Sequence, residues 1–144
     1  MSLRRFALAT VLAVATPVAA SAQSTENAQP TLYLELNAVR DVGAACRLTF
    51  LARNGTGATI EQAVFETVIF DVSGGVVNLS LFDFRDLPAD RMRVREFELS
   101  GMPCDTVGQV LINGANSCLV DGAESGTCDQ ALSLSSRLDV ELLG

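Results

Sequence analysis

The residues of this 144-residue chain that could carry chemistry are its four cysteines, a few carboxylate pairs and one run of arginines. There is no histidine and no lysine. Their absence removes Ser-His-Asp and Cys-His catalysis, Ser-Lys dyads and Schiff-base chemistry. It also removes zinc and copper sites built on imidazole. What remains is thiols, carboxylates and backbone.

Thiol chemistry needs a thiolate of lowered pKa, usually in a C-x-x-C or beside a base. Cys46, Cys104, Cys118 and Cys128 offer no such spacing. Four cysteines in an exported chain read instead as two disulfides, for which three pairings exist. Cys118 and Cys128 flank a short polar loop suited to a hairpin. The favoured pairing is therefore 118–128 with 46–104. Asp83 with Asp86, and Glu96 with Glu98, are the carboxylate pairs. A glycosidase would want aromatic platforms beside such a pair, and the chain has no Trp and one Tyr. Asp121, Glu124 and Asp129 gather in one loop. Calcium favours such donors, but the D-x-D-x-D-G order of an EF-hand is absent. The loop reads as a polar hairpin tip, with a calcium or small-ligand site at 119–130 as the alternative. Arg91, Arg93 and Arg95 alternate along one predicted strand face. They read as cross-strand partners of nearby carboxylates or as a docking ridge for an acidic partner. No catalytic residue, cofactor or resident metal follows from these patterns, so an enzyme is not expected.

The elements that would position these residues are strands. Leu32, Leu34 and Leu36 alternate with Tyr33, Glu35 and Asn37, and Cys46, Leu48, Phe50 and Ala52 alternate with Arg47, Thr49, Leu51 and Arg53. The cysteine thus falls on the buried face. Residues 59–68 fit both helical and strand spacing; Val, Ile, Thr and Phe favour a strand with Val64, Val68, Phe70 and Val72 inward. Val77, Leu79 and Leu81 are expected to face in against Asn78, Ser80 and Phe82. Between Met92 and Leu99 the apolar phase slips, which predicts a bulge near Arg95-Glu96. Thr106–Ile112 reads as a strand ended by Asn113-Gly114. Leu132, Leu134, Leu138, Val140 and Leu142 share one parity and predict a single amphipathic strand. About seven strands with turns and no helix point to an all-β, antiparallel, Ig-like β-sandwich stapled by disulfides.

Around this domain, expected over 31–144, lie a leader and a polar lead-in at 23–30. Arg4-Arg5, the apolar run Phe6–Val14 and Ala20-Ser21-Ala22 form a signal peptide with cleavage after Ala22. Phe6 directly after the arginine pair departs from the Tat pattern and favours Sec export. The apolar run is too short for a membrane span, so no stable membrane insertion is expected after cleavage. The whole chain carries a net charge of −7, and losing Arg4 and Arg5 makes the remainder more acidic still. Such a charge opposes binding to nucleic acid or anionic membrane.

Residues 46 to 112 resemble the Ig-like sandwich of the FxLYD type. Asn54-Gly55 stands at its first turn, Ile69-Phe70-Asp71 at its L-Y-D triplet and Gly74 at the glycine of D-x-x-G. That resemblance implies an extracytoplasmic sandwich without catalytic residues. The whole chain is also similar to an uncharacterised group of small exported bacterial proteins that carry a Tat-like signal. Cys46–Phe50, Leu81–Phe84, Val110–Gly114 and Ser135-Ser136-Arg137 carry the similarity. Immunoglobulin domains proper have a core Trp that is missing here. The functional expectation is a periplasmic or secreted, non-enzymatic domain that binds an envelope protein or a surface through sheet edges or loops.

Overall fold

Large apolar side chains at every second position build the first two strands, β1 (Leu32–Val42) and β2 (Ala45–Asn54). In the computed structural model, which describes residues 29–144, Leu32, Leu34, Leu36, Cys46, Leu48, Phe50 and Ala52 are all fully buried. The expected leader and most of the lead-in lie outside the described residues. The chain continues through β3 (Gln62–Asp71), β4 (Val76–Asp83), β5 (Met92–Ser100) and β6 (Val107–Val120). After these come β7 (Ala123–Glu124), a short helix α1 (Thr127–Gln130), β8 (Leu132–Ser136) and β9 (Glu141–Leu143).

Two sheets form. The first has the order β5-β2-β1-β8 and the second β4-β3-β6, with β7 and β9 both pairing with β6. Strands 1, 2 and 5 in one sheet and 3, 4 and 6 in the other is the immunoglobulin-like alternation of a sandwich. The all-β, disulfide-stapled architecture is as expected. The strand count is nine among the described residues, above the seven expected, and the sheets are not purely antiparallel. Both differences arise at the C-terminus. The single amphipathic strand expected over 132–142 is two strands: β8 pairs parallel to β1 and β9 pairs parallel to β6. The chain crosses between sheets at 137–140, where the Ser136 hydroxyl donates to Val140 O at 2.6 Å and accepts from Leu138 N.

Five phenylalanines set the packing at the side where β4 and β5 lie. Phe82 stacks on Phe97 at 4.1 Å, and Phe50 meets Phe82, Phe84 and Phe97 edge-on. Phe65 adds to Phe84. This cluster corrects three sequence expectations. In β3 the inward residues are Ala63, Phe65, Thr67 and Ile69; of the expected set Val64, Val68, Phe70 and Val72, Val68 alone is buried, on the opposite parity. In β4 Phe82 faces in, so Val77, Leu79 and Leu81 face out. In β5 Phe97 and Leu99 face in together with Arg93 and Arg95. Its pairing with β2 runs without a break from Met92 to Ser100, and there is no bulge at Arg95-Glu96. Each strand offers apolar residues on both faces, and Phe65, Phe82 and Phe97 take the interior while Phe70 stays on the outer parity of β3.

Asn113-Gly114 does not end a strand either. β6 runs on to Val120, and its register against β3 shifts around these residues. Gly114 has φ 154°, open to glycine alone, so the dipeptide is absorbed as an irregularity within the strand. Residues 59–61 form no helix; Ile60 makes an isolated bridge to Leu87.

Candidate interaction surface

The disulfides are Cys46–Cys104 and Cys118–Cys128. The first ties β2 to a 3₁₀ turn at 104–106, where Cys104 N donates to the Asp41 carboxylate at 2.8 Å. The second ties β6 to α1. No cysteine among the described residues is free, so the thiols serve the scaffold.

The arginine run divides by role. Arg95 turns inward, donating to Phe84 O at 2.6 Å and Asp86 O at 3.0 Å, and pairs with the Asp86 carboxylate at 3.5 Å. It braces β5 against the 84–87 loop. Arg93 donates to Met92 O, and Arg91 precedes β5 and is exposed. The three therefore do not form one free ridge. Glu98 pairs with Arg47 at 2.6 Å, and Glu96 accepts from Thr49. Asp83 accepts from Arg85 N at 2.7 Å, while Asp86 pairs with Arg95.

The loop carboxylates are also taken up locally. Glu124 accepts from Ser117 Oγ and Cys118 N, and Asp129 accepts from Ala115 N at 2.8 Å. Asp121 sits at the exposed tip with φ 52°. Among the described residues no group of three or more His, Cys, Asp or Glu is placed to hold a metal ion.

Two residues that read from the sequence as turn formers organise this architecture. Asn54 is fully buried. Its amide donates to Ala58 O and Leu87 O, both at 2.7 Å, and its oxygen accepts from Thr56 N and Oγ1. Asp71 accepts from Ser73 N, Ser73 Oγ and Gly75 N, closing the β3–β4 turn. The Ser73 hydroxyl and the Gly75 amide hold its carboxyl below the usual range. Their only sequence signal is Asn or Asp just ahead of Gly-containing turns.

What stands out chemically is the outer face of the second sheet. The registers align Leu79 (β4), Val68 (β3), Leu111 (β6) and Leu143 (β9) in one row across four strands. Leu79 is 60% exposed, Leu81 54%, Val77 47% and Leu143 38%. Val72 and Val76 extend the patch at the hairpin. Nothing in the described chain covers it. Contiguous apolar surface of this kind marks interaction sites in soluble proteins. The parity reversal in β4 is why it was not foreseen: Val77, Leu79 and Leu81 read from sequence as core.

No family model matches the chain, and no curated protein does. The solved structure of IrmA from Escherichia coli is similar in fold, with a TM-score of 0.61 at 13% identity, covering 74% of this chain and 92% of that one. The likeness extends to the sandwich.

The outer face of the first sheet differs in kind. Glu35 accepts from Asn37 and Tyr33, which hold its carboxyl below the usual range with help from Arg137. A hollow of about 440 Å³ lies there, lined by Thr31, Tyr33, Leu51, Arg53, Asp90 and Met92. Its single arginine and single aspartate supply no nucleophile with an adjacent base.

Proposed function

We propose that this is an exported, non-enzymatic β-sandwich domain that binds another envelope protein through the outer face of its second sheet. The observation that carries the reading is the uninterrupted apolar row Leu79–Val68–Leu111–Leu143. Burying such a row against a partner releases water from Leu79 and Leu143, exposed at its two ends on either side of buried Val68 and half-buried Leu111. Two disulfides suit an oxidising compartment, and the signal-like residues at 1–22 supply the route there. Side chains available for chemistry are engaged in bracing turns and strands, which favours binding over turnover.

The test is crosslinking capture from periplasm with the wild-type chain and with Leu143→Arg. Leu143 lies at the far end of the row, in the short terminal β9, so the fold should tolerate the change. A partner recovered by the wild type and lost with the variant is the expected result. Equal recovery by both would move the binding surface elsewhere.

A further inference from the structure

The free edge of β4 has a feature the rest of the sheet lacks. β4 is the terminal strand of its sheet. Phe84 N donates to Ala63 O at 2.8 Å, which sets the alternation. The backbone groups of Phe82, Ser80 and Asn78 therefore point to β3, and those of Leu81 and Leu79 point to the open edge. From Val76 to Phe82 this edge carries no charge and no proline. Natural edge strands are normally blunted by charge, proline or a bulge that turns the edge away. β4 has one irregularity, near Val77 at its hairpin end, and an open run after it. The neighbouring edge, β5, is blunted by Arg93, Arg95, Glu96 and Glu98.

The strand also reads the same in both directions. Val77, Asn78, Leu79, Ser80 and Leu81 form an apolar-polar-apolar-polar-apolar pattern centred on Leu79. We infer that the occupant of this edge is a second copy of the chain, paired antiparallel about a two-fold axis at Leu79. In that register Leu79 lies opposite itself, Leu81 opposite Val77 of the second copy, and Asn78 opposite Ser80. Asp83 falls opposite Gly75, beside which the Asp71 carboxylate of the second copy lies, already hydrogen-bonded by Ser73 and Gly75; the central run from Val77 to Leu81 brings no charges together. Leu79 sits at a hydrogen-bonding position on both strands, as an isologous strand pair requires. The two sheets become one, and the apolar rows of the two copies run on across the axis. This extends the reading of the second sheet as a binding surface: the envelope partner would meet a doubled row.

Sedimentation velocity of the chain, expressed with its own leader and purified oxidised, tests it. A dimer is expected for the wild type. Leu79→Lys sets the two substituted positions against each other and should weaken the dimer more than about tenfold, with the melting temperature unchanged. Val77→Lys alone should weaken it, and Val77→Lys with Leu81→Glu should restore it, now with marked salt sensitivity. A wild-type monomer at 100 µM, a concentration on the order of those used for weak interfaces, would overturn the inference. So would a Leu79→Lys dimer of unchanged strength, or no rescue by the double variant. Leu143→Arg lies away from the axis and should leave the dimer intact, so loss of the envelope partner and loss of the dimer are read separately.

Discussion

On the outer face of the first sheet, Arg47 meets Glu98, Thr49 meets Glu96, and Tyr33 and Asn37 hold Glu35. On the outer face of the second, Leu79, Val68, Leu111 and Leu143 line up as strand partners in one apolar row. Both faces come from the same strand alternation, and both sheets share one aromatic core. The first face pairs most of its charges internally and exposes apolar residues only at its β5 edge, Met92 and Val94. The second leaves Leu79, Leu81, Val77 and Leu143 exposed among the described residues, at a cost in unburied apolar surface. The two faces differ in that the apolar residues of the first are confined to one edge strand, whereas those of the second align across four strands.

The largest test breaks what the two sides have in common. Phe82→Ala removes the ring that stacks on Phe97 and turns β4 outward. It should lower unfolding free energy by about 3–5 kcal/mol in urea titrations, and a loss under about 1 kcal/mol would show that β4 is held otherwise. Next in size, Asn54→Ala leaves Ala58 O, Leu87 O and Thr56 N without their buried partner. A loss of about 3 kcal/mol is expected; retention of wild-type stability would mean water replaces the amide. Gly108→Ala brings a methyl group within 2.3 Å of Asp71 O, where β6 passes the end of β3. About 2 kcal/mol should be lost, seen in the same titration.

The turn that carries β4 is sharpened by pH. Hydrogen bonds from Ser73 and Gly75 depress the Asp71 pKa below its ordinary 3.8. A depressed carboxyl stabilises the fold above the unfolded value, and that contribution is lost as pH falls through the folded value. Melting temperatures from pH 5 to pH 2 (a range on the order of that spanned by carboxylate titration) should fall more steeply for wild type than for Asp71→Asn. Parallel curves would deny the carboxylate this role. The smallest effect belongs to the charged face: Glu98→Gln, in an exposed pair, should move the melting midpoint hardly at all, and less still at high salt.

Much of the fold is legible in the chain and the surface is not. β1 and β2 alternate strictly between apolar and polar, so burial of Leu34 or Phe50 follows from parity. The partner of each cysteine follows from the short loop between Cys118 and Cys128, which leaves one other pair. In β3, β4 and β5 the rule has no purchase. Both parities carry apolar residues, and period two cannot say which set is inside. Asn54 and Asp71 look like turn residues and are, but only the folded loop shows one buried and fully bonded.

The amino-acid sequence by itself determined the all-β class, the even set of four cysteines with a favoured pairing, the buried faces of β1 and β2 and the absence of imidazole and lysine chemistry. These depend on residue type and local spacing, which the chain displays directly. Tertiary structure decided the parity of β3, β4 and β5, the splitting of the C-terminal strand between two sheets, and the exposure of Leu79, Leu81 and Leu143. Those depend on competition for one interior. Phe65, Phe82, Phe84 and Phe97 fill it together with Phe50, and the aliphatic residues opposite them in β4 are left facing out.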